Sequence, residues 1–118
     1  MPYCIVLSTS ASGEEAEKIT GLLLERHLAA SVQMTPIVSY YHLKGKVVRS
    51  SEIQLLIKTE ETLYPDVQSL IKENHSYEVP QIVKIPIKTG LPRYLDWIKK
   101  ETLASKKRYR PPKGIYEI

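Results

Sequence analysis

His75 and Glu78 stand three residues apart in the run His75-Ser76-Tyr77-Glu78-Val79-Pro80. An imidazole and a carboxylate form a plausible pair for a divalent cation such as copper or zinc, with the neutral imidazole as the stronger ligand. Two ligands leave a coordination shell incomplete. Asn74 beside the pair, or His42 from another segment or another copy of the chain, would have to fill it. The alternative is structural: His75 ends a helix, where a cation suits the negative end of the dipole, and Glu78 pairs with a base. His27, near another helix end, has only a structural reading.

Catalytic chemistry is thinly represented. With five glycines there is no phosphate-cradling loop, no HExxH occurs, and the single Cys4 rules out both CxxC and an internal disulfide. A Ser/His/Asp set could converge in space, but no spacing proposes one. The chain therefore reads as non-enzymatic, with no obligatory cofactor.

At 118 residues and 13.5 kDa the sequence suits one domain with one core. No apolar run approaches the roughly 20 residues that span a bilayer, and Pro2 to Ser8 is too short for the apolar part of a signal peptide. The expectation is a cytoplasmic protein with no membrane partner. A net charge of +4 invites a nucleic-acid reading, so the position of the charge matters. Lys106, Lys107, Arg108, Arg110 and Lys113 face only Glu117 in residues 106–118, and the other 105 residues carry twelve basic and twelve acidic side chains. The body, residues 1–105, is neutral, and the tail, 106–118, reads as a solvated basic extension with Pro111-Pro112 disfavouring helix. No nucleic-acid partner is expected.

The elements that must hold His75 and Glu78 follow from periodicity. Tyr3 to Leu7 is a short apolar run of the kind that forms a buried central strand. Ser12-Gly13-Glu14-Glu15 fits a capping box in which Glu15 reaches back to the cap, and Ala16, Ile19, Leu22 and Leu23 continue a helix to about Leu28. From Ala30 the period becomes two, Pro36 predicts a bulge or an edge, and Lys44-Gly45-Lys46 predicts a tight turn into a strand over Val47 to Thr59. Leu63, Val67, Leu70 and Ile71 form a helical stripe, with Thr62 as the expected cap and Pro65 in the first turn. Gln81 to Ile87 is a strand, and Pro92 to about Leu103 a helix. This order is the split βαβ pattern of an α+β, ferredoxin-like fold with a long β2-β3 hairpin and a C-terminal helix. Leu56 and Ile82 are expected on the sheet face away from the helices, and a sheet apolar on both faces calls for another copy to cover it.

In order along residues 3–98, Leu28-Ala29-Ala30, Ser39-Tyr40-Tyr41, Gly45-Lys46, Ile57-Lys58-Thr59, His75 to Pro80 and Tyr94-Leu95-Asp96-Trp97-Ile98 resemble the CutA divalent-cation tolerance family. That resemblance implies a homotrimer with PII-like architecture, a role in tolerance of copper and other divalent metals, and no established catalysis. It also implies that Tyr41, Lys58, Tyr77 and Glu78 line a cleft between subunits, suited to small anionic or metal ligands, although Lys58 could equally form an interface salt bridge with Glu78 or Glu52. Where family members carry Trp and Cys this chain has Leu43 and Ser31, and some members have Cys where Ser8 stands. The missing soft thiolates weaken a copper site. Ser76 replaces a proline common after the motif histidine, which predicts a looser segment. Tyr94 and Trp97 read as core or trimer packing.

Two other classes share the element order. An RNA-recognition module stacks bases on sheet aromatics, but the basic-aromatic strand it needs is missing and Phe is absent. An acylphosphatase-like hydrolase needs Arg and Asn in a loop after the first strand. Ser8 to Gly13 has neither.

Overall fold

The computed structural model describes residues 2–102 and Glu117; the boundary at residue 105 and the rest of the basic tail lie outside them. The chain runs β1 (Tyr3–Ser10), α1 (Gly13–Glu25), β2 (Ser31–Leu43), β3 (Lys46–Glu60), a 3-10 turn (Glu61–Leu63), α2 (Tyr64–Asn74), β4 (Ile82–Ile87) and α3 (Pro92–Glu101). All pairings are antiparallel, in the sheet order β2-β3-β1-β4. The fold is α+β and ferredoxin-like, with β1 and β3 central as expected.

One sheet face is closed by α1 and α2. Cys4, Val6, Leu55 and Ile57 from the strands meet Ala16, Ile19 and Leu23 of α1 and Val67, Leu70 and Ile71 of α2 in a buried cluster. Each such aliphatic side chain contributes roughly 1.5–3 kcal/mol when fully buried, which makes this cluster the main stabilising feature. Ile82 packs against it too. Ile82 pairs with Ser8, a residue of the helix-covered face, so its expected place on the other face is corrected; Val83 and Ile85, opposite Leu7 and Ile5, take that role. Leu56, opposite Leu7, does lie on the other face.

α1 stops at Glu25 rather than near Leu28. His27 adopts φ 54°, with its N–H on Leu24 O at 3.1 Å and the Leu28 N–H on Leu23 O at 2.9 Å. This is a Schellman cap built on a non-glycine residue, and the His27 ring, 3.0 Å from Glu101 O, ties it to the end of α3. Thr62 is not the cap of α2: it lies in the 3-10 turn, and Leu63 takes the cap position without a side-chain bond. Pro65 sits in the first turn, where its missing N–H costs nothing.

β2 is an edge strand, and Pro36 pairs in register with Ile53 without a bulge. Lys44 (φ 51°) and Gly45 (φ 78°) form a two-residue turn closed by Leu43 and Lys46, the geometry of a type I′ hairpin. β1 reaches only to Ile53 of β3, so the seven residues Lys46–Glu52 and their β2 partners run on for about 24 Å as a two-stranded arm. Tyr40, Leu43 and Val47 on it are 68%, 51% and 66% exposed. The second sheet face is partly closed at its other end by α3: the Lys58 ammonium lies 5.6 Å from the Tyr94 ring centroid, and the Thr102 hydroxyl donates to Glu60 at 2.6 Å. Trp97 stacks on Tyr94 at 5.7 Å and remains half-exposed, while Ile98 is buried.

Candidate functional site

The run from His75 to Gln81 connects α2 to β4 across the open end of β1, and hydrogen bonds fix it there. His75 takes the cap position at the C-terminus of α2, as the structural alternative had it, but not as the cation that alternative supposed, because both ring nitrogens are used in hydrogen bonds. Nε2 lies 2.6 Å from the Thr9 carbonyl oxygen and Nδ1 lies 3.0 Å from the Tyr77 amide nitrogen. A carbonyl only accepts and an amide N–H only donates, so the ring is neutral, protonated at Nε2, with its lone pair already occupied. The imidazole is fully shielded from solvent.

Glu15 completes the anchorage. Its expected bond back to the Ser12 backbone is not formed. Ser12 Oγ does cap the helix, accepting from the Glu15 N–H at 3.2 Å, but the Glu15 carboxylate turns outward from the turn and accepts from Ser10 Oγ at 2.6 Å and from the Ser76 N–H at 2.9 Å. His75 Nδ1 stands 3.7 Å from the same carboxylate. Burial pushes the Glu15 carboxyl up, yet the hydrogen bonds from Ser10 and Ser76 outweigh it and hold it below its ordinary value. The expected loosening by Ser76 is thereby corrected: proline has no N–H, and serine supplies one. At the far end Ser8 Oγ donates to Gln81 O at 2.7 Å.

This anchored run and the hairpin arm, from Glu52 at its base to Leu43 beside the turn, border an open cavity of about 740 Å³. Tyr40, Tyr41, Tyr77, Glu52, Glu78 and Val79 are among its lining residues. Glu52 is the residue that sequence reasoning missed as a site component. It is 8% exposed and accepts a 2.7 Å hydrogen bond from the Tyr77 hydroxyl. Burial first, then that bond and the Glu52 charge, push the Tyr77 phenol up to about 12, so it stays a neutral donor. No signal in the sequence singled it out, because Glu52 shares its face of β3 with Ser50, Gln54 and Lys58, where a charge is unremarkable.

Of the four cleft residues, the structure brings Tyr41, Tyr77 and Glu78 together and leaves Lys58 elsewhere. Lys58 and Val48, the partner of Tyr41, are ten residues apart on β3, about 34 Å along an extended strand. Of the three candidate metal ligands, His75 has no free nitrogen, and His42 lies near the hairpin tip opposite Val47. Among the described residues no three His, Cys, Asp or Glu side chains are grouped so as to hold a metal ion. Cys4 adds nothing to that donor set, because burial, with Glu61 nearby, pushes its thiol up to about 11.

Residues 4–101 match the family described as CutA1 divalent ion tolerance protein. The chain belongs to the CutA family. Its similarity to the divalent-cation tolerance protein CutA of Archaeoglobus fulgidus is 42% identity over 90 residues, covering 76% of this chain and 88% of that protein. The solved structure of that relative, described as periplasmic, matches with a TM-score of 0.82 at 38% identity over 84% of this chain and 97% of that one. CutA1 from Oryza sativa matches with a TM-score of 0.84 at 37% identity, covering 86% and 94%. CutA relatives thus extend from archaea to plants, and the RNA-binding alternative finds no support among them. No described helix is long and apolar enough to cross a membrane.

Proposed function

We propose that this chain is a non-enzymatic, homotrimeric CutA protein that serves divalent-cation tolerance through ligand binding in a cleft between subunits, in the manner of PII-like signalling trimers. The observation that carries this reading is the cavity over Tyr41, Tyr77, Glu52 and Glu78, placed where the hairpin arm leaves the body and beside apolar sheet surface that one copy leaves open. Support also comes from the relatives, which are named divalent-cation tolerance proteins. The role of the cleft is recognition: the anchored 75–81 run holds the Tyr77 ring and hydroxyl in place, and Glu52 and Glu78 give the wall its charge. In this reading His75 is a positioning residue, and a Cu(II) or Zn(II) ion that binds does so through side chains such as Glu78 and His42 drawn from more than one copy.

Calorimetric titration of Cu(II) and Zn(II) into wild type and His75→Gln tests that assignment, because the glutamine amide still has a donor to offer to Thr9. Equal affinity in the two proteins is expected. A tenfold or greater loss in His75→Gln would return His75 to the metal's coordination shell.

A further inference from the structure

The lining of the tyrosine cavity selects a class of ligand. Two carboxylates, Glu52 and Glu78, face it, and among the described residues neither is paired with a base. No lysine or arginine lines it. The Arg49 guanidinium binds the Tyr40 hydroxyl at 3.2 Å without lining the cavity, and the Lys58 ammonium is held over Tyr94 at the other end of the sheet. Within one copy an anion would therefore meet like charge with no counterion, which disfavours the anionic ligand that the family resemblance implies.

The rest of the wall is aromatic and aliphatic. Tyr41 and Tyr77 bring two aromatic side chains to this wall with Leu43 and Val79, whereas the Tyr40 ring lies on the other face of β2, bonded to Arg49. Aromatic faces attract cations most strongly when the cation is large and weakly hydrated, so that its methyl groups lie on the rings without loss of a firm water shell. A bare or hydrated divalent metal is a poor match for such a wall, since it requires several oxygen or nitrogen donors at about 2 Å. A volume of about 740 Å³ is also that of an organic-ligand pocket, far beyond one metal ion. Glu52 adds the decisive charge. It is almost fully buried, and the hydrogen bond it receives comes from the Tyr77 phenol, a neutral partner, so its charge is left uncompensated within the chain.

We propose that this cavity binds a small organic cation, a quaternary or protonated alkylamine, with its charge between Glu52 and Glu78 and its alkyl groups against Tyr41 and Tyr77. The inference rests on the reading of this cavity as the functional cleft, and it names the ligand chemistry of that cleft. It does not depend on a metal.

Choline chloride, titrated calorimetrically into the full-length protein at about 0.15 M salt, is the probe, with sodium phosphate and zinc chloride as comparators and light scattering of the same samples to report assembly. Saturable choline binding is expected, weakened at least fivefold by Glu52→Gln and at least threefold by Tyr41→Leu. Tyr77→Phe keeps the ring and should hold affinity within twofold, a result that a merely structural role for the Tyr77-Glu52 bond would not give. Circular dichroism melting of each variant separates lost folding from lost binding. Absence of choline binding to wild type, equal binding in Glu52→Gln, or binding of phosphate in preference to choline overturns the proposal. So does binding that appears only in Lys58→Ala, because a neighbouring copy's lysine would then be the natural cation. Choline binding to a monomer would overturn the trimeric reading while leaving the ligand class intact, and a trimer that ignores choline would do the reverse.

Discussion

At the scale of single residues, the 75–81 run is held by bonds that the sequence does not announce. The run itself and the place of His75 at a helix end were legible, because α2 has a clear apolar stripe and the strand that follows begins at Ile82. What was not legible is that Thr9 and Glu15, 66 and 61 residues away from the atoms they bond, would occupy both faces of the run. Such partners depend on how β1, α1 and α2 are packed, which no local pattern encodes. Ser76→Pro tests the arrangement at one atom. His75 already has φ −99° and ψ 143°, the conformation preferred before proline, so the substitution loses one charge-assisted hydrogen bond of about 1.5–3 kcal/mol against about 0.4–1 kcal/mol of proline stiffening. A modest destabilisation is expected, together with an upward move of the Glu15 titration seen by carboxyl NMR; an unmoved Glu15 would contradict the bond. The pH dependence has a definite sign. The folded Glu15 carboxyl is depressed, so its contribution is complete above the unfolded value near pH ~4.3 and is lost as pH falls through the folded one. Ser76→Pro should therefore shrink the acid-side loss of stability, measured by denaturant unfolding between pH 6 and 3.

Among elements, strand periods were read correctly and faces were not always. Ile82 illustrates the reason: a period of two fixes which residues share a face, but a shift of one residue exchanges the faces, and only pairing to Ser8 decides it. The early end of α1 was invisible because its left-handed stop uses His27 where glycine is usual. The hairpin turn was visible because Gly45 marks it. Its first position, Lys44, has φ 51°, a conformation that asparagine tolerates better than lysine. Lys44→Asn is accordingly expected to stabilise the hairpin by about 0.5–1 kcal/mol, read as a rise in melting temperature, and a fall would show that the turn is reorganised by contacts beyond it.

For the whole molecule, the features that matter are those one copy leaves unfinished. Val83 and Ile85 are 43% and 45% exposed on the open sheet face, and the arm carries Tyr40, Leu43 and Val47 into solvent on a two-stranded ribbon, which is marginally stable by itself. The ferredoxin-like order and the long hairpin were legible from patterning, and the family from the ordered motifs. The cavity was not, since it arises from Glu52 on one strand meeting Tyr77 from a loop 25 residues later. A second face of this kind calls for other copies to cover it, and in the proposed trimer the cleft would gain its outer wall in the same step. The proposed function therefore turns on assembly. Size-exclusion chromatography with multi-angle light scattering at micromolar concentration is expected to give one peak at about three times the 13.5 kDa chain mass, and a monodisperse 13.5 kDa monomer would contradict it.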